Sequence, residues 1–316
     1  MDDVGDEQMH PAVARILREH DAGGLLSLLC DRLSGSDLTV LMLEVMRRRA
    51  VAVTPAEVLA HYESDRFVRP AAVDARRLLD LEVVALDAVS PPFAPVATSP
   101  LLPFGSHSVV AGVHQNRLVS TVRGTEVAAD PTNSLALEAA AQRRRLLAAA
   151  PRSAATVRLA SVDRVVRAQR FDGPRSFAHF TLLGLVSAGR DTGSHSFELE
   201  SMHEHLLVLT KVIDRLGVGP AAIRVTDFGQ HHQDVLDALV ASIASDDVAV
   251  SIWSERTSAR GYYPNVCFKL HVVLDGEEVE VADGGIVPWT QDLVASKKER
   301  LMISGLSLER LATARA

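Results

Sequence analysis

Residues 265–285, NVCFKLHVVLDGEEVEVADGG, alternate apolar and polar side chains on either side of Asp275-Gly276. A period of two marks a strand with one covered face. Asp-Gly suits a two-residue turn, because both of its central residues must take positive φ. The stretch therefore predicts a β-hairpin, and a hairpin commits its neighbours to antiparallel pairing. Residues 156–171 and 176–190 predict a second pair of strands, joined by a loop at Asp172-Gly173-Pro174. Other strand-like runs are SVVAGV (108–113), NRLVSTVR (116–123), IRVTDFG, VAVSIWSE and LMI (301–303).

Helical signals fill the rest. After a loose tail at 1–9, Pro11 opens a helix to about Leu33, and Ser36 and Asp37 cap a second. Thr54-Pro55 pairs an N-cap with a first-turn proline, and Pro70 opens a fourth helix reaching Val89. Beyond a proline-rich connection after Pro91, Asp130 to Asn133 start another helix, and residues 197–217 form a long one closed by Gly217. The pattern predicts an α+β fold, with helices flanking a large antiparallel sheet. A helical segment, 1–65, precedes the main domain, 66–316. No glycine-rich phosphate loop follows a strand, so the Rossmann and P-loop readings lack support.

Composition narrows function. Hydrophobic residues make up 47% of the 316, enough for a large core. The net charge of −7 offers no general field for nucleic acid. Cys30 and Cys267 make neither a disulfide framework nor a metal site. His203 and His205 point apart on a helix, and His231-His232 reads as a surface helix start, so zinc is not expected. The acidic N-terminus is not a signal peptide, and no apolar run reaches the roughly 18 residues of a membrane helix. A soluble cytoplasmic protein is expected.

Arginines gather around the loop at 172–174: Arg164, Arg167, Arg170 and Arg175, with Phe177, His179 and Phe180 beside them. Such a cluster in an acidic chain calls for an anion, and a ring beside it could stack on a base. In LMISGLSLERL, 301–311, a strand, a small-residue turn at Ser304-Gly305 and a helix start would aim Arg310 into a cleft.

These segments, in this order, resemble the catalytic domain of class II aminoacyl-tRNA synthetases. Residues 164–189 resemble motif 2, LMISGLSLERL resembles motif 3, and the helix ending near Val89 stands for the dimerising motif 1. RGYYPNVCFKL (260–270) with the Gly-Gly turn of VADGG (281–285) is similar to the histidyl branch, as is STVRGTEVAADPTNSLALEAA (120–140). The resemblance implies a ligase that binds ATP, Mg²⁺ and a free amino acid. It implies catalytic roles for Arg167, Arg260 and Arg310. Arg167, Gln169, Arg175, His179, Phe180 and Arg310 would hold ATP, with Phe180 stacked on adenine. Arg123, Glu126, Tyr262 and Tyr263 would bind the amino acid, Glu126 taking its ammonium. Glu280 and Asp283 would face the metal; Asp227 and Glu198 are further carboxylates weighed for it. A homodimer is implied.

The sequence departs from that pattern. Gln169 stands where motif 2 has Glu, and Lys269 replaces a Glu. Arg260 lies two residues closer to the tyrosines than in the family, leaving Arg256 as the other bearer of its role. The chain closes just after motif 3, without the anticodon-binding domain of histidyl enzymes. The expected acyl acceptor is therefore not tRNA but a carrier-protein thiol or a small-molecule amine, as in specialised biosynthesis. The alternative is a silent regulatory subunit of the ATP phosphoribosyltransferase type that binds an amino acid.

Overall fold

The Asp-Gly hairpin forms as the alternation predicts. Asp275 and Gly276 have φ of 53° and 81°, and they join strands Val266–Leu274 and Glu277–Val287. A computed structural model describes residues 9–89, 91–169, 175–218, 221–229, 233–243 and 248–313. The expected loop at Asp172-Gly173-Pro174, Arg170 and His231-His232 lie outside the described residues.

The chain divides into two compact units, Met1–His61 with Val122–Gly124, and Tyr62–Thr121 with Thr125–Ala316. The first contains α1 (Pro11–Glu19), α2 (Leu25–Ser27) and α3 (Gly35–Val51); α4 runs from Pro55 to Ser64. The single first helix expected to Leu33 is interrupted at Gly23-Gly24, where two flexible residues replace helix formers. None of residues 9–61 is buried.

The second unit is built on one eight-stranded sheet. Its helices are α5 (Ala75–Ala88), α6 (Pro131–Ala149), α7 (Ser196–Arg215), α8 (Gln233–Ile243), α9 (Trp289–Val294) and α10 (Leu308–Ala312). Its strands are β1 (Ala94–Pro95), β2 (Leu101–Pro103), β3 (Thr125–Val127), β4 (Val157–Val166), β5 (His179–Arg190), β6 (Ala221–Asp227), β7 (Val248–Ile252), β8 and β9 (the hairpin above) and β10 (Glu299–Ser307). The large sheet runs β1-β4-β5-β10-β9-β8-β6-β7, while β2 and β3 form a small ladder. Only the outer pairs β1–β4 and β6–β7 are parallel. The α+β, antiparallel-dominated architecture read from the sequence is the one observed. Among the described residues, no helix is long and apolar enough to cross a membrane.

Three local readings are corrected. Residues 108–113 and 116–123 are not strands: a π turn covers Ser106–Val110 and a 3₁₀ turn Gln115–Arg117. The β-branched residues there suit a strand, but Gly105 at φ 89° turns the chain first. Ser304-Gly305 is not a turn. It lies inside β10, hydrogen-bonded to β5 on one side and β9 on the other. Gly284-Gly285 likewise lies within β9 and makes no turn.

The two sheet faces have different tasks. On one, Leu183, Leu185, Phe268, Leu270 and Leu306 pack against α5, α7, α8 and α10 in the main core. His205 of α7 pins itself there, bonding Ser187 at 3.1 Å and Ser304 at 2.8 Å. Full burial pushes its imidazole down to about 3, so it stays neutral. On the other face, Leu135, Ala136 and Ala139 of α6 pack with Tyr263, Cys267 and Trp289. Burial raises the Cys267 thiol to about 12.

Arg143 of α6 is fully buried against Glu299 of β10, with contacts of 2.7 and 2.9 Å. It also donates to the carbonyls of Ser153 and Ala155. Losing one partner strands a charge in the interior. Glu299→Ala is expected to cost about 3–5 kcal/mol in urea unfolding, and Arg143→Met with Glu299→Leu to recover most of it.

Candidate active site

The site grows from a row of residues crossing the sheet. Ser161, Gly184, Gly305, Asp283 and Lys269 stand side by side on β4, β5, β10, β9 and β8. Cross-strand partners project to the same face. Two glycines in the middle therefore leave a trough. Pro131 fills part of it: a Cβ on Gly184 would lie 2.8 Å from its ring. That close approach brings the head of α6 over the sheet. Asp130 caps this helix, one oxygen accepting from the Thr132 backbone (2.9 Å) and hydroxyl (2.7 Å). Its other oxygen takes Arg167 at 2.8 Å.

Two cavities open from the trough. The first, about 170 Å³, is lined by Arg167, Arg175, Phe180, Glu280, Asp283 and Arg310 among others. The second, about 230 Å³, is lined by His107, Asn133, Gln169, Tyr262 and Tyr263. Asp130, Arg167, Asp283 and Gly305 line both and mark their junction. Arg167 and Arg310, far apart in sequence, thus share one cavity wall.

Each sequence-derived candidate has a definite place. Arg167 also donates to the Ala129 carbonyl at 3.0 Å and lies 5.1 Å above the Phe180 ring, so one ring face is already covered. Arg310 donates to the Glu280 carbonyl at 2.6 Å. Arg175 reaches the first cavity, but it is held by Glu277 at 2.9 Å and Asp275 at 3.2 Å from the β8–β9 hairpin. Gln169 lines the second cavity, its carbonyl accepting from Arg66 at 3.1 Å.

His179 faces the other way. Phe180 and Leu182 point to the trough, so the strand period sends His179 to the opposite face. There it meets Arg164 at 2.7 Å and the Arg69 carbonyl at 2.7 Å. Arg164 continues to the buried Glu309, which also accepts from the Thr181 amide. The Glu-Arg pair at 309–310 therefore divides its work: the acid locks α10 to β5, and the base lines the cavity.

Glu126 is also not on a cavity wall. It is fully buried and accepts from His107 Nδ1 (2.5 Å), the His107 amide (2.8 Å), the Gly105 amide (3.3 Å) and Gln115 (3.2 Å). Its donors overcome the burial penalty and hold its carboxyl below the ordinary value. His107 in turn accepts from the Ala129 amide at Nε2. Glu126 thus braces the wall from behind. Arg123 belongs to the other compact unit.

Tyr262 and Tyr263 meet edge to face at 4.9 Å, and Tyr262 meets Trp289 at 5.8 Å. Burial raises both phenols well above their ordinary value. Arg260 stacks 5.1 Å over Phe228 and lines neither cavity. Arg256 is buried, 5.8 Å from the Tyr263 ring, and its two terminal nitrogens have no hydrogen-bond partner. Glu280 pairs with Lys269, which leaves Asp283 alone as the free half of the proposed metal pair. Among the described residues no group of three metal-ligating side chains occurs. Magnesium arriving with a nucleotide would be held mainly by phosphate oxygens.

Sequence reasoning missed Asn133 and the second bond of Asp130. Asp130 was legible as a helix cap, but its other oxygen is engaged only once β4 crosses the head of α6.

No protein-family model matches this chain, and no curated protein matches it by sequence. Solved structures do match. An ATP phosphoribosyltransferase regulatory subunit/histidyl-tRNA synthetase from Bacillus halodurans aligns at TM-score 0.58 and 13% identity, over 79% of this chain and 82% of that one. A histidine–tRNA ligase subunit from Alicyclobacillus acidocaldarius aligns at 0.56 and 14%, over 77% and 96%. The fold is that of a class II aminoacyl-tRNA synthetase catalytic domain. Apo S. aureus histidyl-tRNA synthetase aligns at 0.54 and 12%, covering 75% of this chain; the chain spans 64% of that enzyme's length. At these identities the likeness concerns the fold, and the class II scaffold is what it establishes.

Gly285 lets Tyr263 lie against β9: a Cβ there would meet the tyrosine ring and Cys267 Cβ, each at 2.6 Å. Gly285→Ala is expected to cost about 1–3 kcal/mol in denaturant unfolding, because neither neighbour can withdraw.

Proposed function

We propose that this protein activates an amino acid with ATP and passes the acyl group to an acceptor other than tRNA. The amino-acid carboxylate attacks the α-phosphorus, an acyl–phosphate bond forms, and pyrophosphate leaves with the broken phosphoanhydride. The carboxylate is already ionised, so the step needs no general base. It needs alignment and relief of negative charge. The observation that carries this reading is the sharing of one cavity by Arg167 and Arg310, with Arg167 also lining the tyrosine-walled cavity. A nucleotide in the first cavity and an amino acid in the second would meet at Arg167. Arg310 would then face the departing phosphates. The net charge of −7 gives a polyanionic acceptor no general attraction, and this reading takes a carrier-protein thiol or an amine as the acceptor.

A second reading, an amino-acid-binding regulatory subunit, has its own support. Arg175 is already neutralised by Asp275 and Glu277, so one expected phosphate contact is spent within the protein. The Bacillus halodurans neighbour is described as a regulatory subunit as well as a synthetase.

Amino-acid-dependent exchange of labelled pyrophosphate into ATP separates the two. Activation predicts exchange with at least one amino acid, and Arg310→Ala should lower it by about 100-fold or more. Amino-acid binding without exchange for any of the twenty would establish the regulatory reading instead.

A further inference from the structure

We propose that Asp283 receives the α-ammonium group of the amino-acid ligand, and that Asn133 reads a hydrogen-bond acceptor on its side chain. This assignment rests on the amino-acid-binding reading of the second cavity. An α-amino acid carries its ammonium one carbon from the reacting carboxylate. If the carboxylate lies at the junction beside Arg167, the ammonium receptor must lie there too. Two carboxylates line both cavities, Asp130 and Asp283. Asp130 is committed: one oxygen caps α6 and the other holds Arg167. Glu126, the receptor implied by resemblance, lies behind the wall with its oxygens bonded to four donors. The Asp283 carboxylate makes no hydrogen bond or ion pair among the described residues. Its row neighbour Gly305 adds no side chain to crowd an incoming group, and the space above that glycine is open.

From that anchor the ligand side chain extends between Tyr262, Tyr263 and His107. Asn133 lines this space and is 4% exposed. Its unpartnered Nδ2 is itself covered, so it meets a ligand acceptor by turning its amide toward the cavity. A buried donor without a partner is costly, and a ligand acceptor would satisfy it. The preferred class is therefore an amino acid whose side chain carries a carbonyl, hydroxyl or ring-nitrogen acceptor, in preference to an aliphatic one.

The electrostatics agree. Burial first, then Glu280 and Asp130, raise the Asp283 carboxyl to about 6, against the pull of Arg256 and Arg167. An unpaired carboxylate in that setting gains most from a cation.

The test is calorimetry on the full chain, with each of the twenty protein amino acids and, separately, with MgATP. At least one amino acid with an acceptor-bearing side chain should bind. Asp283→Asn should weaken it about 10- to 100-fold, the worth of a hydrogen bond to a charged group. MgATP titration is the control: a loss confined to the amino acid supports the assignment, and an equal loss for MgATP overturns it. The carboxylic acid lacking the α-amino group should bind wild type and variant equally poorly. Asn133→Leu should shift preference toward aliphatic side chains. Unchanged melting of each variant ties the loss to the site. Unaltered amino-acid affinity in Asp283→Asn, or no binding of any of the twenty, overturns the assignment. Asp283-dependent binding without pyrophosphate exchange would remove activation and leave the assignment standing. Exchange that is indifferent to Asp283→Asn would do the reverse.

Discussion

The pairing of β10 with β5 and β9 is the constraint on which the rest depends. It places Gly305 beside Gly184 on one edge and beside Asp283 on the other. A one-residue slip would send every side chain of the strand to the opposite face. Gly305 would then be replaced in the trough by Ser304 or Leu306, and Leu306 belongs to the main core. The core pattern and the site geometry are therefore fixed by the same register. Pro131 can sit low over the sheet only because Gly184 has no side chain, and Asp130 follows it into reach of Arg167.

Around that trough the charges are arranged in engaged and open groups. Arg143–Glu299, Arg164–Glu309 and His107–Glu126 hold elements together and are occupied within the protein. The first two couple a helix to the large sheet, and the third couples a turn to the β2–β3 ladder. Asp283, Arg256 and Asn133 are buried or half-buried polar groups that lack such partners. A fold tolerates unsatisfied polar groups poorly, so those that line or border the two cavities are informative there. The contrast separates frame from working surface more sharply than residue type does, since both sets contain arginines and carboxylates.

Much of this was legible in the sequence. The Asp-Gly hairpin, the capped start of α6, the long α7 and the antiparallel class all follow from periodicity and turn chemistry. The convergence of the 167 and 310 segments was legible only through resemblance, because no local pattern links them. Other features were hidden for identifiable reasons. SVVAGV has strand-forming residues, yet Gly105 and the bonds from Glu126 to the His107 loop hold a tight turn there. Ser304-Gly305 looks like a turn, but central strands can use small residues where something must come close. Glu126 and His179 were assigned by position in a motif, whereas burial in one case and strand parity in the other direct them elsewhere. Asn133 gave no signal beyond its place in a helix cap, since an unsatisfied amide is a property of the assembled cavity.

The side-chain-free strip at the middle of the sheet separates what this architecture can vary from what it cannot. Tyr262 and Asn133 reach the second cavity from a loop and a helix, not from the strands that set the register. Exchanging them would reshape the ligand's berth while the floor stayed intact. A methyl on Gly184 would instead push Pro131 away and disturb every group that hangs from α6. Diversification of ligand choice is thus open at the rim and closed at the floor, a division of labour that lets one scaffold host many specificities.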